Sequence, residues 1–245
     1  MTTILKINSK DRTSGTNTNF TWHTTSLHPT SITLKEVIIP NLFNNIRSGE
    51  NSTFKYRTGG QDYTIGITDG QYPTGDLLNV LTAGFAVNLH DVTLTQDPYS
   101  RKITFKNNMA EPLTIYNNDN QDTPSTLPSQ LGYDTDIPIG ASSSVEFNNP
   151  VNIISYMTLN VLSNKLSNGY NVIAANEQRY PIICTLPISD APFNSVLHYE
   201  PQEQHQVHQT HSFNVQEIDI RITDEEFNIV KLPSNVDVII VMELE

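Results

Sequence analysis

The sequence predicts an all-β sandwich carrying one short helix, on three observations. Asn, Thr and Ser supply 26, 27 and 19 of the 245 residues, and these side chains hydrogen-bond locally, favouring turns and strand surfaces over helix interiors. Apolar residues alternate with polar ones along most of the chain, the period of a strand with one face in a core and the other in water. Only one stretch, near residues 74–87, keeps a helical period. Hydrophobic residues make up 37%, enough at this length for one sizeable core or two small ones, and since sandwiches and barrels of this size are often single domains, one domain over 1–245 is expected.

Taken in order, Ile32 and Leu34 open the alternation, followed by Phe54 and Tyr56, then Ile65 and Ile67. Gly59-Gly60 can supply positive φ between Tyr56 and Tyr63, which predicts a hairpin. From Thr74 to Val87, Leu77, Leu81 and Phe85 recur every four residues with Leu78 beside them. Thr74 is placed to cap the first turn and Asp76 to meet its partial positive charge. Val92 and Leu94, then Ile103 and Phe105, flank Asp97-Pro98-Tyr99-Ser100, where proline suits a turn, so a second hairpin is expected. The stretch 117–150 holds four prolines and Ser142-Ser143-Ser144 and reads as long surface loops. Met157, Leu159 and Val161 resume the alternation. Ile218, Ile220 and Ile222 form one apolar face, but Phe213 and Val215 have the opposite parity, which predicts a β-bulge near Gln216 or Glu217. Val236 to Leu244 is apolar at almost every position, as in a central strand covered on both faces. No repeat of solenoid or propeller length is apparent.

The charge narrows the function. Fourteen Lys and Arg against 26 Asp and Glu leave a formal net charge of -12, the wrong sign for wrapping nucleic acid or lying on an anionic membrane. The longest purely apolar run, Val238 to Met242, cannot span a bilayer, and the first residues lack the apolar stretch of a signal peptide. One cysteine, Cys184, permits no intramolecular disulfide and suits a reducing compartment. The sequons at Asn19 and Asn51 follow from the Asn/Thr-rich composition.

Motifs of catalysis are missing: there is no phosphate loop, nucleophile elbow, zinc-protease helix or paired-cysteine signature. His205, His208 and His211 are the best metal candidates, since imidazoles can share an ion, but in a strand neighbouring members of that spacing face opposite ways. Asn118, Asn120 and Asp122 imitate a calcium loop, with Thr123 where the turn glycine belongs and Ser129 where the bidentate acid belongs. Glu225-Glu226 and Asp134 with Asp136 read as solvated carboxylates, and Trp22 and Tyr72 as core aromatics.

Several short blocks carry a resemblance. Ile7-Asn8-Ser9-Lys10-Asp11-Arg12, Asn19-Phe20-Thr21, Ile38-Ile39-Pro40-Asn41 and Asn44-Asn45-Ile46 come first. Ile67 to Tyr72 leading into Leu77-Leu78, Leu131-Gly132-Tyr133, Thr185-Leu186-Pro187, Val196 to Tyr199, and Ile218 to Ile222 with Asp224 follow in order. The chain thereby resembles the penton, or minor capsid, proteins of virophages, polinton-like viruses and related large DNA viruses. That resemblance implies a single jelly roll of two packed antiparallel sheets totalling eight main strands. It also implies pentamers at icosahedral fivefold vertices, contact with trimers of the double-jelly-roll major capsid protein, no cofactor and no enzymatic reaction. The implied location is the virion, after synthesis in the host cytoplasm or a viral factory, and little room remains for a large inserted spike domain.

Asn8, Asp11 and Arg12 are the candidate assembly contacts. Arg12, among few cations, is expected to hold a carboxylate or carbonyl, either within the subunit or across a capsid contact. Two rival functions are kept. A jelly-roll glycan- or receptor-binding module would use the 117–150 loops with Tyr116 or Tyr133 exposed, and a cupin-like metalloenzyme would use His205, His208 and His211.

Overall fold

In this computed structural model the described residues are 3–117, 125–153, 156–166, 171–172, 179–188, 192–201, 207–209 and 215–245. The first half of the chain runs β1 (Thr3–Asn8), a 3-10 turn (Ser9–Asp11), β2 (Ser14–Gly15), β3 (Asn19–Leu27), β4 (Ser31–Pro40), β5 (Thr53–Thr58), β6 (Gln61–Gly66), α1 (Thr74–Val87), β7 (Val92–Gln96), β8 (Ile103–Asn107) and β9 (Leu113–Ile115). There follow α2 (Pro128–Leu131), β10 (Ile137–Ile139), β11 (Ser144–Glu146), β12 (Thr158–Leu162), β13 (Asn171–Val172), β14 (Arg179–Tyr180), β15 (Ile182–Pro187), β16 (Val196–Tyr199), β17 (Val207–Gln209), β18 (Val215–Thr223) and β19 (Ile239–Leu244).

Where the sequence reading expects one domain over 1–245, the chain divides into two compact units: residues 1–43 with 156–245, and residues 44–155. Each has a hydrophobic core of its own. In the first unit, one sheet runs β1-β19-β4-β16 and the other β15-β12-β18-β3. Ranked along the chain, these eight strands lie first-eighth-third-sixth in one sheet and fifth-fourth-seventh-second in the other. Such winding, all antiparallel, is the jelly roll. The expected double sheet of eight strands is therefore complete within the first unit.

Alternation decides which side chains fill that core. Ile32, Leu34, Val37 and Ile39 point inward from β4, Ile218, Ile220 and Ile222 from β18, and Ile240, Met242 and Leu244 from β19. The parity break in β4 between Leu34 and Val37 is a bulge, because Val241 faces Glu36 while Met242 faces Leu34. The bulge expected in β18 is present: Val215 pairs Leu27 and Glu217 pairs His23, with the register shifting between them; Phe213 lies outside the described residues. β19 is central, between β1 and β4. Its residues are alternately buried and half-buried, so one face is covered by core and the other only by neighbouring side chains, not both by packed layers. Met157 stands outside the expected alternation, exposed ahead of β12, because its N–H is drawn to Glu225 at the strand's margin. Cys184 is buried, and burial pushes its thiol up to about 12.

The second unit contains the helix and both predicted hairpins. β5 and β6 pair with Tyr56 opposite Tyr63, and Gly59 and Gly60 both take positive φ at the turn. β7 and β8 are joined through Asp97, whose Oδ1 accepts the N–H groups of Tyr99 (2.9 Å) and Ser100 (2.6 Å). Those bonds hold the Asp97 carboxyl below the usual carboxylate range. α1 buries Leu77, Leu78, Leu81 and Phe85 as its spacing dictates. Its cap differs from expectation: Pro73 occupies the cap position with no side-chain hydrogen bond, and Thr74 is already the first helical residue. Proline there fixes the approach to the helix without a capping oxygen.

Residues 117–150 also differ from the loop reading. Residues 118–124 lie outside the description, but α2, β10 and β11 fall in the remainder, and Leu127, Leu131, Tyr133, Ile139 and Phe147 are buried there. These apolar residues are too widely spaced to show a period, yet each fills the core beside Phe54, Phe85 and Phe105. Among the described residues, no helix is long and apolar enough to cross a membrane.

Candidate functional site

Several of the blocks that carry the penton resemblance become hydrogen-bonded clasps, and the others lie in strands β3, β4, β15, β16 and β18. In the opening block, Asn8 Oδ1 accepts the Lys10 N–H (2.9 Å), closing the 3-10 turn. Buried Ser9 exchanges two bonds with Val238, donating its N–H to the carbonyl (2.9 Å) and accepting the Val238 N–H at Oγ (2.9 Å). Arg12 bends back over the turn, giving Nη1–H to Ser9 O (2.8 Å) and Nε–H to Gly15 O (3.2 Å). Its partners are thus carbonyls of its own subunit, one of the two expected arrangements. Asp11 is exposed.

An Arg12→Ala chain is expected to lose about 1 kcal/mol of stability, since two charge-assisted bonds at a partly exposed site contribute at that level. Urea unfolding with unchanged slope measures it, and a midpoint equal to wild type would refute the brace.

Two neighbours of that block were not singled out by sequence reasoning. Asn17 donates both Nδ2 hydrogens, to Pro233 O and Val236 O (2.8 Å each), and Thr18 Oγ donates to Val230 O (2.7 Å). Together with Ser9 they tie residues 230–238, which have little regular structure, to the start of the chain. Nothing in composition distinguishes these from the other Asn and Thr residues.

A second clasp closes the neck of the 44–155 unit. Asn45 is buried; its Nδ2 donates to Tyr72 O (2.8 Å) and Ile153 O (3.1 Å), and its Oδ1 accepts the Tyr72 N–H (2.8 Å). Its own N–H reaches Gln71 Oε1 (3.1 Å), and Asn51 Nδ2 donates to its carbonyl (2.7 Å). Ile46 and Gly70 form an isolated antiparallel bridge. Two blocks that are 26 residues apart in the chain, Asn44-Asn45-Ile46 and Gly70-Gln71-Tyr72, therefore meet. A Cβ on Gly70 would lie 2.8 Å from the Tyr72 ring, which explains the glycine two before the tyrosine.

In the third block, Leu131-Gly132-Tyr133, Gly132 ends α2 in the left-handed region (φ 95°) while Leu131 and Tyr133 are buried on either side. Tyr133 donates its hydroxyl to Tyr116 O (3.3 Å), and burial pushes its phenol well above the ordinary range. Near the other end of the chain, Asp224 shapes the turn after β18 by accepting the Glu226 and Asn228 N–H groups (3.0 and 2.8 Å).

The rival readings fare differently. Tyr116 and Tyr133 are 7% and 1% exposed, so neither offers the open aromatic face that the glycan module needs. The Tyr116 hydroxyl is also used up, donating to Asp62 (2.9 Å). Asp62 is gripped bidentately by Arg57 as well (2.8 Å twice), and these bonds hold its carboxyl below the usual range. His205 and His211 lie outside the described residues, as do Asn118, Asn120 and Asp122; His208 is on β17, opposite Ile32. Glu225 and Asp136 serve the backbone: Glu225 accepts the Met157 and Thr158 N–H groups (2.5 and 3.0 Å), and Asp136 that of Asn117 (2.8 Å). Trp22 is partly buried against the jelly-roll core, and Tyr72 against the core of the 44–155 unit.

The strand winding defines the class, a jelly-roll β-protein. The chain is similar in structure to the mavirus penton protein, solved as a selenomethionine-labelled crystal. The TM-score is 0.52 at 8% sequence identity, over 100% of this chain and 99% of that one. No family model matches the sequence. No curated protein matches it either.

Proposed function

We propose that this chain is a structural capsid protein, a penton that forms pentamers at icosahedral fivefold vertices and contacts double-jelly-roll major capsid trimers. The observation that carries the reading is the eight-strand jelly-roll winding, together with a full-length likeness to a protein called a penton. The blocks at Asn8–Arg12, Asn44–Ile46 with Gly70–Tyr72, and Leu131–Tyr133 support it, because they hold turns in hydrogen-bonded clasps. A subunit of a closed ring needs rigid loops, since one heterologous interface is repeated around the axis. In this reading the protein is part of the virion, catalyses no reaction and needs no cofactor, and its partners are its own copies and the major capsid protein. Asn8, Asp11 and Arg12 mark the proposed assembly contact: Asn8 and Arg12 shape the turn and exposed Asp11 faces the neighbour.

Native mass spectrometry of the purified chain, alone and mixed with the major capsid protein, tests this. The expected species has five times the 27.5 kDa of one chain. A monomer under both conditions would overturn the reading.

A further inference from the structure

We propose that Glu36, His198 and Glu200 form a surface site for a divalent transition-metal ion of the zinc class, pinning the edge strand β16 to β4. This inference concerns the jelly-roll unit alone and stands apart from the capsid reading.

The register creates the site. β16 runs antiparallel to β4 with His198 opposite Ile38 and Tyr199 opposite Val37; Glu200 follows directly after β16, and Glu36 lies one residue before Val37 on β4. Like charges brought close on neighbouring strands repel, and a cation between them relieves that repulsion. Lys35, next to Glu36 in the chain, is not that cation: it is engaged with Glu243 on β19. What lies between the carboxylates is an imidazole. His198 Nε2 is 2.6 Å from Glu36 Oε1 and 3.4 Å from Glu200 Oε1.

The donor set has the right chemistry and size. A neutral imidazole with two carboxylates is a set that zinc accepts, and softer or harder ions less readily. The three ligand atoms lie within 4.8 Å of one another. Tetrahedral bonds of about 2.0–2.2 Å place ligand atoms roughly 3.3–3.6 Å apart, so small side-chain rotations seat an ion. The groups are 30%, 50% and 69% exposed for Glu36, His198 and Glu200, which leaves the fourth position to water.

The test is calorimetric titration of the full chain with zinc chloride at neutral and at mildly acidic pH. One equivalent is expected at neutral pH, with affinity falling on acidification and melting temperature rising with zinc. His198→Ala and Glu36→Gln should each weaken binding by at least about tenfold and abolish the zinc-dependent rise in melting. Both positions are partly exposed, and equal melting in zinc-free buffer verifies that the variants fold. A chain with His205, His208 and His211 all changed to Ala should bind as wild type. Undetectable zinc binding overturns the proposal, and so does binding that survives His198→Ala but disappears in the triple variant.

Discussion

A Gly132→Ala chain is expected to fail in folding, or to melt far below the wild type, by more than about 3 kcal/mol. The cause is backbone, not packing of a side chain that could turn away. A Cβ at this position would sit 2.1 Å from Asn149 O, 2.9 Å from Asn149 C and 3.2 Å from Pro150 O, and φ is +95°. Asn149 cannot simply retreat, because its N–H is bonded to Gly132 O (2.9 Å). Soluble yield and thermal melting measure the effect. Gly75 supplies the control: it lies in the first turn of α1 with nothing near its missing Cβ, so Gly75→Ala should be neutral or add about 0.5–1 kcal/mol. A Gly132→Ala melt equal to wild type would refute the clash with the backbone of 149–150.

Asn45→Ala should cost about 3 kcal/mol, the second largest single effect. The substitution leaves the Tyr72 N–H, the Tyr72 carbonyl and the Ile153 carbonyl without their partner in a partly buried neck, at about 1 kcal/mol or more for each orphaned group. Asn45→Asp makes the argument sharper. It keeps an acceptor for the Tyr72 N–H but turns a carboxylate toward two carbonyl oxygens, so it should be no better than Ala. Urea unfolding of both variants decides, and an Asp variant as stable as wild type would mean that the amide donates nothing.

Strand periodicity was readable wherever one face meets a core and the other meets water. Ile218, Ile220 and Ile222 announced β18, and the parity of Val215 located its bulge. α1 was readable because its leucines keep a four-residue period. The division into two units was not, because Phe54, Tyr56 and Phe105 look no different in sequence from Ile32 and Leu34: alternation shows that a residue is buried but not in which core. Leu127, Leu131, Tyr133 and Phe147 were missed for a related reason, being isolated buried residues in or beside elements too short to show a period. The Asn8–Arg12 and Asn44–Ile46 blocks were visible only as a resemblance, since their role is to bond carbonyls distant in sequence. Glu36 and His198 escaped altogether. Their relation depends on the pairing of β4 with β16, across more than 150 residues, which local pattern does not specify.

The Asn45 clasp has a consequence for how such a chain can be made and diversified. Every strand that pairs with β4 or β3 lies after residue 155, apart from β2, so a ribosome delivers the intervening unit before its host can close. An unstructured loop of that length would add closure entropy and slow the search for distant partners. Here the two ends of the intervening unit are already joined by the bond from Asn45 Nδ2 to Ile153 O. Once that unit has folded, the host experiences it as a short bridge instead of a long tether. The same geometry brings the ends of this unit together at Asn45 and Ile153, the arrangement that tolerates insertion of one module within another.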